Sequence, residues 1–484
     1  MRLTDLTDTT ADALRNAGAY LSGLMTPTIR LGVTGLARSG KTVFITALVR
    51  NLLAGGRLPF FSAMAQGRIA RAYLEPQPDD RLPRFAYEEH LAALAEDPPR
   101  WPESTRRISQ LRVTLDYEPA AVLRRAFGTG RLHVDIVDYP GEWLIDLPML
   151  GLSFAEWSAR AVADAGAPRR RTAARAWMEM ATALGADAPE DEQVALRGAQ
   201  LFTHYLQTAR TPDAALAAPG PGRFLLPGDL AGSPLLTFFP LLPSSPSGYA
   251  RGSLGAMLAR RYESYKAHVV KPFFRDHFAS LDRQIVLVDA LSALNAGPEA
   301  VADLEQALAA VLACFRPGAN TWMSSIVAPR IDRLVFAATK ADHLHHTSHD
   351  RLEALLRAIL AQAIERAAFA GADVKVMALA ALRATREAEA RSGRQMLPCI
   401  VGVPMPGERI GGKVYDGRKE AALFPGDLPE DTAAFAAQPV QDAVHFLRFR
   451  PPHISLDAPA AEAPALPHIR LDRAMEFLLG DQLA

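Results

Sequence analysis

The sequence predicts an α/β fold built on a mixed, mostly parallel sheet that carries a phosphate-binding loop. Three observations predict it. The apolar stretch 29–34 runs into the glycine-rich turn GLARSGKT and then into a helical pattern, which are the parts of such a loop in their usual order. A second apolar stretch, 132–138, runs into the acidic turn DYPGE. Beyond residue 283, apolar strands alternate with helical runs, as in parallel sheets covered by helices.

Each element of the predicted core follows from a local pattern. The strand 29–34 is followed by a helix over 42–53, which Gly55 and Gly56 end. The segment 57–105 is rich in Pro and Arg and is predicted to be loop with short helical pieces. The other predicted strands of the core are 108–116, 132–138, 284–290, 333–338 and 374–380, and its other helices are 299–315 and 349–370.

These elements divide the chain into four predicted parts. Residues 1–28 form an N-terminal accessory helix, and residues 29–142 and 284–385 form the core. Residues 143–283 form a helical insertion, and residues 386–484 form a C-terminal extension packed on the core. The predicted pieces of the two additions are helices at 153–165, 170–184, 190–210, 250–279 and 471–479, and β-type segments at 413–415 and 445–449.

Composition limits the class of function. The 484 residues exceed a single compact core, in keeping with large additions. Lys and Arg together number 53, as do Asp and Glu, so we expect no nucleic acid as partner. Cys314 and Cys399 are far apart, which favours buried apolar thiols in a reducing compartment. The N-terminus lacks the apolar core of a signal peptide, and we therefore expect a cytoplasmic protein.

The turn GLARSGKT, Gly35 to Thr42, matches the phosphate-binding pattern without a gap. Gly35 and Gly40 are expected to allow a backbone that points successive N–H groups at phosphate oxygens. Lys41 would place its charge between the terminal phosphates, and the Thr42 hydroxyl would ligate Mg²⁺. Further nucleotide contacts are predicted for Ala37, Arg38, Ser39 and Val43.

The turn DYPGE, Asp138 to Glu142, follows the strand 132–138. A carboxylate at the end of a buried strand is costly unless it is paired, and water bound to Mg²⁺ is a suitable partner for Asp138. The N–H of Gly141 is then placed to contact a γ-phosphate. Asp-Tyr-Pro-Gly also forms an ordinary turn, so the prediction depends on its position after a strand in a chain with a phosphate-binding loop.

The sequence TKAD, from Thr339 to Asp342, ends the strand 333–338 and predicts the base. Guanine presents adjacent N1–H and N2–H₂ donors that one carboxylate accepts together, whereas adenine has no such pair there. Asp342 is predicted to accept them, and the stem of Lys340 to lie over the base. After the last strand, Ala380, Ala381 and Leu382 occupy the place of a loop that touches the guanine O6. This order of parts is that of Ras-like GTPases.

Two further groups of residues are weaker candidates. WPEST offers Thr105, with Ser104 as the alternative, to contact Mg²⁺ and the γ-phosphate; both also suit the start of a strand. The cluster of His343, His345, His346 and His349 invites a metal site. No Cys or Glu companion is evident in the sequence, so a solvated run of histidines that opens a helix is favoured.

Together GLARSGKT, WPEST, DYPGEW, TKAD and LRFRPP (447–452) resemble the bacterial YcjX-like P-loop GTPase family (DUF463), over nearly the whole chain. The resemblance implies a Ras-like core with a large helical insertion, binding of GTP and GDP with Mg²⁺, and a switch linked to stress or envelope responses. It also implies an inner-membrane protein as partner, at which the chain would lie peripherally. Self-association is left open.

One residue departs from better-known GTPases. Ras-like switches place a Gln after the DxxG turn to orient the attacking water, and this chain has Glu142. A carboxylate accepts a proton but cannot donate as an amide does, so weak basal GTPase activity is predicted. The candidate catalytic residues are Lys41, Thr105, Glu142 and Arg38, the last of which is equally suited to touch phosphate or to face solvent.

Two other functions remain as alternatives. A P-loop kinase that uses ATP would bind its acceptor in the insertion, but the TKAD sequence argues against it. A non-catalytic scaffold would hold GDP as a structural ligand, but the intact set Lys41, Thr42 and Asp138 argues against that.

Overall fold

A seven-stranded sheet lies at the centre of the protein. The computed structural model describes residues 26–35, 38–56, 58–103, 107–121, 129–209, 220–245, 248–313, 331–369, 371–392, 394–410, 412–428, 445–455 and 465–484. The central strands are β1 (Thr28–Gly35), β2 (Ile69–Glu75), β3 (Ser109–Tyr117), β4 (Gly130–Asp138), β5 (Arg283–Val288), β6 (Arg333–Ala338) and β7 (Asp373–Ala378). They lie in the order β2-β3-β4-β1-β5-β6-β7.

The strand β3 is antiparallel to both of its neighbours, β2 and β4. The other neighbouring pairs are parallel. The predicted mixed, mostly parallel sheet is therefore confirmed. Because the parallel strands end at one edge of the sheet, the loops after β1, β4, β6 and β7 meet there.

Helices cover both faces of the sheet. Those of the core are α1 (Lys41–Ala54), α2 (Ser62–Ala65), α3 (Tyr87–Ala95), and later α10 (Ala290–Ala296), α11 (Pro298–Ala313), α12 (His349–Ile359) and α13 (Ala361–Phe369). Between them lie α4 (Phe154–Ala165), α5 (Pro168–Ala183), α6 (Glu192–Ala209), α7 (Gly222–Leu225), α8 (Leu254–Tyr265) and α9 (Lys271–Phe273). The last helix is α14 (Leu471–Leu479).

Alternate residues of β5 belong to two different apolar cores, which explains why this strand is apolar throughout. Ile285 and Leu287 pack with residues of α1 and α14 on one face. Val286 and Val288 pack on the other face with residues from the insertion and from α11 to α13. The insertion thus shares its core with one face of the sheet.

Aromatic rings form the centre of the insertion. Trp157 of α4 stacks on Tyr262 of α8 with ring centroids 5.2 Å apart, and Trp177 of α5 stacks on Tyr205 of α6 at 5.6 Å. Beyond α8 the helix continues through two π turns, Lys266–Val270 and Phe274–Phe278. Pro272 lies between them and has no N–H to donate to the preceding turn, which accounts for the wider turn there. The stretch predicted as helical over 250–279 is therefore helical from Leu254 to Phe278.

Several local predictions were wrong. The segment 57–105, predicted as loop with short helical pieces, contains the edge strand β2. The residues of β2 are exposed or half-buried and show no clear apolar alternation. The predicted helix 349–370 is two helices, α12 and α13, which meet at Leu360. The predicted β-type segment 445–449 makes only an isolated bridge, between Phe449 and Pro404.

The C-terminal extension contains a three-stranded sheet, none of whose strands was predicted from the sequence. Its strands are β8 (Arg386–Ser392), β9 (Gln395–Gly402) and β12 (Ala421–Leu423), and β10 (Arg409–Ile410) and β11 (Lys413–Val414) form a separate pair.

Cys399 in β9 is buried, as predicted, and burial raises the pKa of its thiol. Cys314 and most of the predicted accessory helix lie outside the described residues.

Candidate functional site

A cavity of about 470 Å³ opens where the loops after β1, β6 and β7 meet. This volume is typical of ligand sites. Segments from the insertion and from the C-terminal extension complete its wall. The predicted site residues that line it are Arg38, Ser39, Gly40, Lys41, Thr42, Val43, Glu142, Thr339, Lys340, Asp342, Ala380, Ala381 and Leu382.

The described part of the phosphate-binding loop suits an anionic ligand. Gly40 has a φ of 86° and precedes α1, whose first turn has neither an acidic residue nor a side-chain cap. At Gly35 the limited space requires glycine, rather than the backbone angle φ. A Cβ there would lie 2.2 Å from the Ser39 Oγ. That hydroxyl is buried and has no protein hydrogen-bond partner within the described part of the chain. The loop thus leaves polar groups for an anionic ligand.

Lys41 and Thr42 begin α1 at the cavity wall. The Lys41 ammonium lies 3.3 Å from the Gly35 carbonyl oxygen, and the residue as a whole is only 9% exposed. The Thr42 hydroxyl donates to the Glu103 carbonyl at 3.2 Å, which leaves oxygen lone pairs for a metal ion. Asp138, the last residue of β4, is buried and pairs in register with Val33 of β1. These donors are hard oxygens, which fit Mg²⁺.

The TKAD loop places its carboxylate at the cavity. Asp342 is 4% exposed, and its Oδ2 accepts the Ala384 N–H at 2.8 Å. This bond fixes the carboxylate, whose four lone-pair sites leave room for further donors. Ala380 also lines the cavity, but its N–H donates to the Ile469 carbonyl at 3.1 Å. The bond from Ala384 to Asp342 joins the loops after β6 and β7.

Lys340 has an unforeseen partner. Its ammonium is paired with Asp289, which follows β5 and caps α10 by accepting the Ser292 N–H at 3.1 Å. Burial alone would raise the pKa of Asp289, but the adjacent Lys340 ammonium lowers it below the usual value. The only sequence signal for Asp289 was its place at the end of a buried strand.

Backbone strain is concentrated at this cavity. Three described non-glycine residues have a left-handed φ: Arg38 at 63°, Lys340 at 61° and Arg470 at 58°. Arg38 and Lys340 line the cavity, and each such conformation costs of order 1–3 kcal/mol. Strain of this kind persists where the surrounding structure imposes it, commonly at functional sites.

The C-terminal extension closes one side of the cavity, which the sequence analysis did not predict. Phe449, in the LRFRPP segment, lines the cavity and is 2% exposed. Its carbonyl accepts the Trp101 indole N–H at 2.7 Å, and its ring meets that of His343 edge-on at 5.1 Å. Phe449 therefore connects the segment before Thr105 to the loop that carries Asp342. Met405 and Arg448 line the same side.

Comparison with known proteins assigns the chain to a family. The family model described as YcjX-like family, DUF463, matches residues 29–483. The chain belongs to this family. It is 39% identical over 465 residues to the Ras-like GTPase YcjX of Escherichia coli, covering 94% of this chain and 96% of that protein. It is 35% identical over 478 residues to the Ras-like GTPase YcjX of Shewanella oneidensis, covering 94% of each. The predicted family and the predicted P-loop α/β fold are confirmed.

In this YcjX-like chain the insertion packs directly on the DYPGEW segment. Glu142 is buried at the cavity wall, and Leu226 of the insertion lines the same cavity. The Trp143 indole N–H donates to the Leu226 carbonyl at 3.3 Å, and the Arg223 guanidinium lies 3.3 Å from the centre of a Trp143 ring. Burial lowers the pKa of Arg223. Gly222 of the insertion also lies against the Glu142 carbonyl, so the insertion contacts the residue that departs from Ras-like switches.

A buried carboxylate fixes this contact. Asp146 accepts the Gly222 N–H and the Tyr265 hydroxyl, both at 2.6 Å. Burial raises the pKa of Asp146 to about 6, against the opposing effect of these two donors. Asp146 thus joins the segment after Glu142 to two separate elements of the insertion.

Replacing Gly222 by Ala tests this packing. A Cβ at Gly222 would lie 1.9 Å from the Glu142 carbonyl oxygen, so the two segments must separate. We expect Gly222→Ala to lower the free energy of unfolding by about 2 kcal/mol, measured by urea denaturation. Gly151→Ala is the matched control, because a Cβ there meets nothing within 4 Å, and its effect should stay within about 1 kcal/mol. Equal effects of the two variants would contradict the packing.

The remaining predicted residues either are not among those that line the cavity or lie outside the described residues. Gly141 is buried and begins a 3₁₀ helix, Gly141–Gly151. Ala37, Ser104 and Thr105 lie outside the described residues.

In the part of the YcjX-like chain that the structure describes, no helix has the length and apolar character needed to span a membrane.

Proposed function

We propose that the protein binds GTP and GDP with Mg²⁺ and hydrolyses GTP slowly. One observation carries this proposal: the phosphate-binding loop with Lys41 and the carboxylate of Asp342 line the same cavity. The first group suits a polyphosphate and the second suits the donor edge of guanine. Both relatives reported above are named Ras-like GTPases, which supports the proposal.

At the phosphate end, the N–H groups at the start of α1 and the Lys41 ammonium would hold the phosphate oxygens. Thr42 would hold Mg²⁺ through its hydroxyl oxygen and Asp138 through bound water, with Thr105 as the proposed third contact. When bound, Mg²⁺ would supply positive charge that offsets the charge on the terminal phosphates.

At the base end, Asp342 would accept N1–H and N2–H₂ of guanine while its Oδ2 keeps the Ala384 N–H. The N–H groups of Ala381 and Leu382 are proposed to meet O6, since that of Ala380 donates to Ile469. Lys340, held by Asp289, would place its stem along the base. An adenine would leave the buried carboxylate of Asp342 without its donors, at a cost of about 1–3 kcal/mol.

The insertion is proposed to report which nucleotide is bound. Glu142 and Leu226 share the cavity wall, and Gly222 is packed against the Glu142 carbonyl. A shift of Gly141 toward a γ-phosphate would therefore move the residues on which the insertion rests.

Hydrolysis is expected to be slow, at about 10⁻³ s⁻¹ or below without a partner. Glu142 would stand near the γ-phosphate, where its carboxylate repels charge and cannot donate to water. Glu142→Gln removes this charge and is expected to leave the single-turnover rate of GTP hydrolysis equal or higher. Phosphate release from GTP and from ATP, measured with and without Mg²⁺, tests both the reaction and the base.

The control for this variant is Glu179→Gln, which removes an exposed carboxylate on α5 and should not change the rate. A large loss of rate in Glu142→Gln with unchanged GTP binding would identify Glu142 as the catalytic base instead. Absence of phosphate release from GTP under every condition would overturn the proposed hydrolysis.

A further inference from the structure

We propose that His345, His346 and Glu387 form a zinc site that joins the loop after β6 to the start of β8. The ligand atoms of the three side chains all lie within 4.8 Å of one another. His346 Nδ1 is 2.7 Å and His345 Nε2 is 3.9 Å from the same oxygen of Glu387, Oε2. Two imidazoles and one carboxylate thus converge on one point from positions about 40 residues apart in the chain.

The donor set selects the metal. Two imidazole nitrogens and one carboxylate oxygen, with a fourth position left for water, are a ligand set that Zn²⁺ adopts in proteins. Tetrahedral Zn²⁺ with bonds near 2.0–2.1 Å places its ligand atoms about 3.4 Å apart. The observed 2.7 Å and 3.9 Å lie on either side of this value, and no two of the three ligand atoms are more than 4.8 Å apart. Side-chain rotations would bring the three atoms to the ion.

Neighbouring groups hold two of the ligands in place. His345 Nδ1 lies 3.0 Å from the Thr347 hydroxyl and 3.5 Å from the Thr347 backbone nitrogen. These contacts hold the imidazole with Nε2 on the side of Glu387. The Arg383 guanidinium lies 3.6 Å from the other oxygen of Glu387, Oε1, and so leaves Oε2 to the histidines. His345 has an 11% exposed side chain, and His346 a 62% exposed one, so an ion can enter from solvent.

The cluster lies close in sequence to the hydrogen bond between Ala384 and Asp342. Asp342 lies three residues before His345, and Ala384, whose N–H donates to Asp342, lies three residues before Glu387. A zinc ion at the cluster would form a second connection between the two segments that this hydrogen bond joins. Binding is therefore expected to stabilise the native protein without any nucleotide, since a ligand that binds the folded state raises its stability.

The test uses the full chain without a histidine tag, stripped of metal and free of nucleotide. Zn²⁺ is titrated against a chromophoric chelator, and Co²⁺ is used as a spectroscopic probe for tetrahedral geometry. We expect one ion per chain and a rise in the melting temperature with Zn²⁺. His345→Ala and Glu387→Gln should each weaken Zn²⁺ binding at least tenfold, since changes around a metal site already cost about 10- to 100-fold.

Two controls separate a built site from scattered surface binding. His204→Ala changes an exposed histidine of α6, and Glu389→Gln changes an exposed carboxylate two residues along β8 from Glu387; both should bind Zn²⁺ as the wild type does. Circular dichroism without metal checks that every variant is folded. The proposal is overturned if the wild type binds no stoichiometric Zn²⁺, or if the ligand variants bind as tightly as the controls.

Discussion

Replacing Lys41 by Ala is expected to lower the affinity for GDP and GTP at least about a hundredfold, the equivalent of roughly 2.7 kcal/mol. Lys41 lies at the start of α1 in the cavity wall, and its ammonium is directed to the Gly35 carbonyl within the phosphate-binding loop. Its charge is thus held where the terminal phosphates would lie, and hydrogen bonds to charged groups contribute about 1.5–3 kcal/mol. Titration with a fluorescent GDP analogue measures the loss.

The fold should survive this change, because the Lys41 ammonium donates to the Gly35 carbonyl within the same loop. Circular dichroism checks this point. Lys419→Ala removes the same charge from an exposed position and should bind GDP as the wild type does. A folded Lys41→Ala variant with undiminished GDP affinity would mean that the nucleotide binds elsewhere.

Replacing Asp342 by Asn is expected to reverse the preference between guanine and xanthine nucleotides. Xanthine carries a 2-oxo group where guanine carries an amino group, and the new amide N–H₂ donates to that oxygen. The amide oxygen can still accept the Ala384 N–H, which now bonds to Asp342 at 2.8 Å, so the loop is expected to keep its shape. We expect at least about tenfold weaker GDP binding and tighter XDP binding, as for a buried polar group left unpaired.

Competition of XDP and GDP for a fluorescent nucleotide measures this reversal. Asp187→Asn, an exposed position in the insertion, provides the matched control and should keep the preference of the wild type. Loss of GDP affinity without any gain for XDP would leave Asp342 with a structural role only.

The parts of the site that follow from short, continuous motifs were predictable from the sequence. GLARSGKT and TKAD each combine a strand end with a turn, and the parallel sheet brings such ends to one edge. Lys41, Thr42 and Asp342 therefore line one cavity although some 300 residues separate them in the chain. The order of strands and helices was enough to predict that these residues lie close together.

The parts that were missed depend on contacts between distant segments with no local pattern. Nothing near Trp101 or Phe449 in the sequence indicates that an indole N–H donates to that carbonyl across the cavity. The same holds for Lys340 and Asp289, an ion pair between loops that follow neighbouring strands. Glu387 was missed as a companion of the histidines because it lies in β8, a strand the sequence analysis did not predict.

The four histidines between residues 343 and 349 look alike in the sequence but differ in how far they are buried. His343 and His349 are buried, and burial lowers the pKa of both. His343 packs on Phe449, and His349 Nε2 lies 2.9 Å from the Ala341 carbonyl oxygen. The prediction of a solvated run was therefore wrong for these two histidines.

The base preference of the wild-type protein tests the central claim most directly. A fluorescent GDP analogue is bound to the nucleotide-free protein with Mg²⁺ and displaced with unlabelled GDP or ADP. We predict that GDP binds at least tenfold more tightly than ADP, a difference of about 1.4 kcal/mol in binding free energy. The reason is that guanine offers N–H donors to the Asp342 carboxylate, whereas adenine does not. Equal affinities for GDP and ADP would contradict a guanine-specific site and favour an enzyme that uses ATP.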